Sequence, residues 1–119
     1  GERFYEAELY RLKGELTLQQ ANQKAKGKRQ KAKIPNPQHL TPSTQSEAEA
    51  CFLKAIAVAQ RQQAKSWELR ATTSLARLWQ QQGQQHEARI MLSEIYNWFT
   101  EGFDTKDLQE AKALLDKLT

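Results

Sequence analysis

The chain has 119 residues, of which 27% are charged and 39% hydrophobic, a balance that is ordinary for a single helix-rich domain. No apolar run approaches the roughly 18 residues that a transmembrane helix needs, and no secretory signal pattern is present. The single cysteine, Cys51, cannot form an internal disulfide. Composition therefore excludes a membrane span and predicts a cytoplasmic protein.

The net charge of +4 comes from one segment of the chain. Six basic residues, with no acidic residue among them, lie within residues 24–33: Lys24, Lys26, Lys28, Arg29, Lys31 and Lys33. Removing these six from the 18 lysines and arginines leaves 12 basic residues against 14 acidic ones. The basicity therefore belongs to a segment and not to a folded surface.

The first predicted helix covers about residues 3–19. Leu9, Leu12 and Leu16 recur at helical spacing and form its apolar face. Gly14 interrupts this pattern, and a glycine inside a helix costs about 1 kcal/mol relative to alanine. Its presence therefore indicates that another helix approaches closely at this point.

Residues 20–45 are predicted to be a flexible basic insertion. Pro35, Pro37 and Pro42, the three prolines of the chain, lie in this segment, and proline interrupts helices. Low hydrophobicity combined with like charges predicts a mobile linker. A loop of this length inside one domain is unusual, which indicates an insertion between two elements that would otherwise turn tightly.

The remaining helices are predicted at about residues 46–63, 66–82, 85–100 and 105–118. Ser46 and Glu49 form an S-x-x-E capping box that predicts the start of the second helix. Gly83 predicts the end of the third helix. No run of alternating apolar and polar residues predicts a strand, so the expected fold class is all-α.

An aromatic cluster precedes the fifth helix, and we interpret it as the joint between two helices. Gly102 suits the left-handed conformation just past a helix end, and Asp104 is the predicted N-cap of the next helix. Phe103 lies between them, in position to contact Trp98 before the joint and Leu108 after it. The alternative, that the aromatics form a ligand site, stays open.

Two segments share a spacing of four and three residues that is typical of the tetratricopeptide repeat. These positions are held by Ala48, Phe52 and Ala55 in one copy and by Ala88, Leu92 and Ile95 in the other. Leu75, Ala76 and Trp79 supply the leucine, small residue and aromatic of the preceding helix in the second copy. The chain thus resembles a tetratricopeptide repeat segment. That resemblance implies an α-α superhelix of antiparallel hairpins, closed by the fifth helix as a C-terminal cap.

A closer resemblance rests on "GERFYEAELYRLKGEL", "AKSWELRATTSLARLWQQQG" and "WFTEGFDTKDLQEAKALLDKL". Together they resemble the C-terminal end of large bacterial multidomain regulators. In that family a signalling ATPase module, often behind an adenylate/guanylate cyclase, protein kinase or DNA-binding domain, precedes a tetratricopeptide array. The resemblance implies a protein–protein interaction or scaffolding module, with the nucleotide chemistry upstream. Upstream domains of the same parent chain are then one expected partner.

The residues themselves offer little catalytic chemistry. There is neither a G-x-x-x-x-G-K-[ST] loop nor a G-x-G-x-x-G motif. His39, His86 and Cys51 do not have the spacing of a metal site, and Cys51 is interpreted as a small buried hydrophobe. We therefore expect no catalytic residue, no metal and no cofactor in this chain.

The predicted partner site is the concave face, which the first helix of each hairpin lines in such solenoids. Its exposed residues are Glu8, Arg11 and Glu15 in the first copy and Arg70, Thr73, Arg77 and Gln80 in the second. Arg70 and Arg77 lie two turns apart on one helix face, where together they can bind a carboxylate of a peptide or protein. The alternative is a solvated surface in which Arg77 pairs with a nearby acid.

The basic segment leaves three interpretations open. It is a flexible linker, a nucleic-acid contact through residues 24–33, or a contact with an acidic protein surface or an anionic membrane. The segment lacks the aromatics that stack on bases, so nucleic-acid binding is the weaker alternative function. Two repeats also leave the N-terminal face of the array unpaired, and self-association through that face is a further hypothesis.

Overall fold

The structure is a computed structural model that describes residues 4–28, 42–102 and 105–119. Over these ranges it contains helices and no strand, which confirms the all-α class. The helices are α1 (Phe4–Lys28), α2 (Pro42–Arg61), α3 (Lys65–Gln81), α4 (Gln85–Tyr96) and α5 (Lys106–Leu118). Within the same ranges, none of them has the length and apolar character that a membrane span requires.

Two helices extend into the predicted insertion. α1 continues to Lys28, well beyond its predicted end, and α2 begins at Pro42. The capping box predicted at Ser46 therefore lies inside α2 and does not start it. Proline suits the first turn of a helix, because the N–H that it lacks would have no helical partner there. Residues 29–41, the rest of the predicted insertion, lie outside the described residues.

α3 is the central helix and contacts each of the other four. Helices that are consecutive in the chain pack on each other, and turns of three residues join α2 to α3 and α3 to α4. Neighbours joined so tightly must run antiparallel. Because α3 also contacts both α1 and α5, these three helices form one layer and α2 and α4 form a second layer behind it.

The two short turns are built alike. Gln63 and Gly83 take positive φ angles of 56° and 85°. In each turn the amide of the following residue donates to the carbonyl five residues back, at 2.9 Å and 2.8 Å. This bond closes a Schellman-type cap. Glycine adopts the left-handed conformation that the cap requires without strain. The structure thus confirms the role predicted for Gly83 at the end of the third helix.

The core includes small and large residues that carry the repeat spacing. The buried residues at these positions are Ala48, Phe52, Ala55, Leu75, Ala76, Ala88, Leu92 and Ile95. Trp79 is partly buried and packs against the clusters of both hairpins. The two hairpins therefore use the same pattern of small residues against large ones.

Gly14 marks a close approach of α1 to α2. A Cβ atom added to Gly14 would lie 2.6 Å from Cε1 of Phe52, well inside van der Waals contact. The glycine accordingly takes the place of a side chain beneath the Phe52 ring. This confirms that it permits close helix contact, as its position in an apolar pattern predicts.

The leucine face of α1 does not pack on the core. Leu9, Leu12 and Leu16 are 65%, 47% and 50% exposed. Within residues 5–20, where burial is described, the buried positions of the helix are Ala7 and Gly14, which lie on the opposite side at 100° per residue. The leucine spacing therefore indicated a helix correctly, but the face that packs on the core is the other one.

The joint before α5 differs in detail from its prediction. α4 ends at Tyr96 and not near residue 100, so the prediction that Gly102 directly follows a helix end is wrong. Gly102 nevertheless has a φ of 79°, in the left-handed region, and Leu108 is in the core. Thr105, and not Asp104, is the N-cap of α5, because its side-chain hydroxyl accepts a hydrogen bond from the Leu108 amide at 3.4 Å. Phe103 and Asp104 lie outside the described residues.

Gly14→Ala is expected to lower the free energy of unfolding by about 1–3 kcal/mol. Overpacking against the Phe52 ring outweighs the gain in helix propensity of about 1 kcal/mol. Urea unfolding followed by circular dichroism measures the change. In a Phe52→Leu background the same substitution should cost less, by at least about 0.5 kcal/mol, because the shorter side chain removes the clash. A Gly14→Ala protein more stable than the wild type would contradict the close approach.

Candidate functional site

The first helices of the two hairpins and the last helix enclose a polar cleft of about 330 Å³. Its lining residues come from α1, α3 and α5 and are Arg11, Arg70, Thr73, Ser74, Arg77, Lys106, Asp107 and Glu110. Every one of these side chains is charged or carries a hydroxyl group. The cleft is therefore suited to hydrogen bonds and ion pairs rather than to an apolar ligand.

Arg70 joins three helices at this cleft. Its Nε and Nη2 donate to the two carboxylate oxygens of Asp107 on α5, at 3.2 Å and 2.9 Å. Its Nη1 donates to Glu8 on α1 at 3.2 Å. The guanidinium carbon also lies 4.8 Å from the ring centre of Trp67, a distance at which a cation–π attraction operates. Arg70 therefore holds α1 and α5 against α3 through a bidentate ion pair and a second charged contact.

Arg11 organises the α1 side of the cleft. It donates to both carboxylate oxygens of Glu8, at 2.9 Å and 2.7 Å, and approaches Glu15 at 3.4 Å. The Ser74 hydroxyl on α3 donates to the same Glu15 at 2.7 Å. These contacts form a second link between α1 and α3.

Glu8 receives hydrogen bonds from both arginines. Burial by itself would raise the pKa of this carboxyl, because it disfavours the charged form. The hydrogen bonds and charges of Arg11 and Arg70 together outweigh burial, and the pKa of Glu8 is lowered from its ordinary value. Hydrogen bonding to Asp107 similarly raises the pKa of Arg70. These shifts favour the charged forms of Glu8 and Arg70 at neutral pH.

Two cations at the cleft are held only weakly. Arg77 contacts Glu110 at 3.5 Å and its side chain is 45% exposed, and Lys106 lies 3.9 Å from the same carboxylate with 87% exposure. Exposed ion pairs of this kind contribute about 0–1 kcal/mol. An incoming carboxylate can therefore engage Arg77 and Lys106 by displacing one weakly bound acid.

The structure distributes the predicted concave-face residues unevenly around the cleft. Arg11, Arg70, Thr73 and Arg77 line it, Glu8 and Glu15 bind its arginines, and Gln80 is not part of the lining. The Thr73 hydroxyl donates within its own helix, to the Leu69 carbonyl at 2.8 Å.

Sequence reasoning missed the α5 residues Lys106, Asp107 and Glu110, because it treated the fifth helix only as a cap. Two acidic residues a turn apart at the start of that helix were the available signal.

Trp98 lies apart from this cleft. It is 56% exposed and lines a second cavity of about 330 Å³ between α2, α3 and α4, together with Leu53 and Met91. Its ring centre lies 5.3 Å from Lys65 Nζ and meets Phe99 edge-on at 5.1 Å. This aromatic of the predicted joint is therefore largely open to solvent.

In the described parts of the chain, no group of three or more His, Cys, Asp or Glu side chains is arranged to hold a metal ion. Cys51 is only partly buried.

Comparison with protein-family models, with curated proteins and with solved structures gives no match for this chain. The fold and the cleft together define its class as an all-helical domain of antiparallel hairpins.

Arg70→Met is expected to lower the free energy of unfolding by about 1–3 kcal/mol, because Glu8 and Asp107 both lose a charged hydrogen-bond donor. Arg77→Met is the matched control and should change stability by less than about 0.5 kcal/mol, because its single contact is exposed. Thermal unfolding followed by circular dichroism compares the two. Equal losses would show that Arg70 does not hold the helices together.

The lowered pKa of Glu8 predicts that the free energy of unfolding decreases in acid. The folded-state pKa of this carboxyl is lower than the ordinary value of 4.5, so its contribution is fully present above about pH 4.5. That contribution is lost as the pH falls through the folded-state pKa. We expect the unfolding free energy to drop less between pH 7 and pH 3 in Glu8→Gln than in the wild type. Glu87→Gln, at an exposed position of α4, controls for the substitution itself. An unchanged acid response in Glu8→Gln would argue against the network.

Proposed function

We propose that the chain is a protein–protein interaction or scaffolding module of tetratricopeptide type, and that its cleft between α1, α3 and α5 binds a segment of a partner protein. The observation that carries this proposal is the pair of weakly held cations, Arg77 and Lys106, at the edge of a polar cleft. Clefts formed by the first helices of successive hairpins are the extended concave surfaces that helical-repeat proteins use for binding.

The charge balance of the cleft favours a ligand with a carboxylate. Arg11 and Arg70 are already neutralised by Glu8, Glu15 and Asp107, and removing those partners would leave partly buried charges unpaired. Arg77 and Lys106 share only Glu110. An acidic side chain or a chain terminus of the partner would replace that one contact with two charge-assisted hydrogen bonds.

The proposal also covers the longer protein to which the chain would belong. The chain would form the C-terminal tetratricopeptide part of a cytoplasmic bacterial signalling ATPase, whose upstream domains are one candidate partner. The burial of the residues with the repeat spacing, complete for all of them except the partly buried Trp79, supports a hairpin array of this type. The resemblance of its N-terminal, central and C-terminal segments to such regulators supports the parent family.

Nucleic-acid binding through residues 24–33 is the alternative, and one observation favours it. α1 continues through Lys24, Lys26 and Lys28, so half of the basic set lies in a helix and not in a loop. Clustered cations bind phosphates by releasing counterions, with a strong dependence on salt.

Acidic peptides selected from a displayed peptide library are expected to bind the chain, and the double variant Arg77→Ala with Lys106→Ala should bind them about 10–100-fold more weakly. Fluorescence anisotropy of a labelled peptide measures the change. The matched control is Arg61→Ala with Arg89→Ala, which removes the same charge from exposed positions outside the cleft. Equal losses in the two double variants would indicate non-specific attraction and would contradict the proposal.

The same assay with random duplex DNA separates the alternative function. Binding that is strong at low salt and lost when the six basic residues are changed to glutamine would favour nucleic-acid binding. Absence of DNA binding at low salt would remove that function.

A further inference from the structure

α1 has two apolar sides, and the structure covers only one of them. Ala7 and Gly14 are buried against the rest of the domain. On the opposite side lies a row that we call the leucine stripe, in which every side chain is about half exposed or more. Its members are Tyr5 (63%), Leu9 (65%), Leu12 (47%) and Leu16 (50%). A helix that is apolar on opposite sides is normally enclosed by other helices, and a contiguous apolar patch marks an interaction surface.

In the second hairpin, the corresponding face of α3 is covered by other helices. Gly14 of α1 and Ala76 of α3 are each a small buried residue in the first helix of a hairpin. Aligning them matches the leucine stripe to Trp67, Ala71, Ser74 and Leu78 of α3.

Ala71, Ser74 and Leu78 are at most 3% exposed, because the preceding hairpin covers them. Leu78 packs with Ala48 and Phe52 of α2, and Ser74 bonds to α1. In this fold, therefore, the face that corresponds to the leucine stripe is an interface between helices.

The other end of the array is polar, and this restricts how copies can meet. The exposed residues of α5 are Lys106, Gln109, Lys112, Ala113, Asp116 and Lys117. Lys112 and Asp116 form an ion pair at 3.0 Å on that surface. Head-to-tail stacking of two chains would press the leucine stripe onto these charges and desolvate them at a cost. A face-to-face arrangement across a two-fold axis avoids the charges, because each copy then presents its own stripe.

We propose that two copies of the chain associate through the leucine stripes, with their α1 helices antiparallel across a two-fold axis. The stripe has spacings of four, three and four residues, so it is the same in both directions. In this pairing Tyr5 lies opposite Leu16 of the second copy, and Leu9 lies opposite Leu12 of the second copy. Alternating spacings of three and four residues are those of a coiled-coil seam.

Charges at the rim of the stripe fit this direction of pairing. Lys13 and Glu6 lie on the same side of the stripe at 100° per residue. In an antiparallel pair that side meets its own counterpart, and Lys13 comes within two residues of the point opposite Glu6 of the second copy. Opposite charges placed in this way favour one register over others.

Sedimentation equilibrium of the whole chain at roughly 5–500 µM tests the proposal. High concentrations are needed because an interface formed by four apolar side chains from each copy is small, and small protein interfaces are weak. The weight-average mass should rise from the monomer value of 13.7 kDa towards twice that value. Leu12→Lys should hold the mass at that of the monomer across the range. Ile90→Lys, which charges an exposed apolar residue of α4 instead, should dimerise like the wild type. Circular dichroism should show that both variants are folded, because both positions are 44–47% exposed.

The rim charges test the antiparallel register separately. Glu6→Lys should weaken association by about 3–10-fold, and adding Lys13→Glu should restore it, because the swap recreates opposite charges across the axis. A wild-type chain that stays monomeric at the highest concentration overturns the proposal and assigns the stripe to a different helix, such as one from a preceding hairpin or a foreign partner. Equal dimerisation of Leu12→Lys and the wild type overturns it as well.

Discussion

The close approach of α1 to α2 at Gly14 is the constraint on which the rest of the structure depends. The Phe52 ring occupies the space that any side chain at position 14 would need. This contact fixes which side of α1 faces inward, because a helix can present only one line of positions to its neighbour. Glu8 and Arg11 are thereby placed towards α3, and the leucine stripe is directed to solvent.

The ion pairs depend on this alignment and add to it. Arg70 reaches both Glu8 and Asp107 only because α1 and α5 already flank α3. Partly buried ion pairs return little net stability once desolvation is subtracted, but breaking one leaves an unpaired charge. Their main effect is therefore to oppose sliding of the first-layer helices past one another. Because acidic side chains already pair with Arg70 and Arg11, the weakly held cations of the cleft are Arg77 and Lys106.

Sequence periodicity predicted the existence and order of the five helices, and glycine chemistry predicted the left-handed residues Gly83 and Gly102. The errors share a physical origin. The extension of α1 to Lys28 follows from the helix propensity of lysine, glutamine and alanine, which hydropathy does not register.

Spacing likewise identifies an apolar stripe without showing which neighbour covers it, so the leucine face of α1 could not be oriented from the sequence. Asp107 was missed as a cleft residue because its partner, Arg70, lies 37 positions away.

α1 carries both proposed surfaces, on different sides of one rigid helix. Glu8 belongs to the cleft network and Leu9, the next residue, belongs to the leucine stripe. At 100° per residue, Arg11, which lines the cleft, lies about 130° from the centre of the leucine stripe, so a second copy on the stripe would leave the cleft open. A dimer would then present two clefts in a fixed relation, and a partner with two acidic segments would bind the second at a high effective concentration. Weak individual contacts at Arg77 and Lys106 would be sufficient in such a proposed dimer, because avidity and not single-site affinity would set the strength of the assembly.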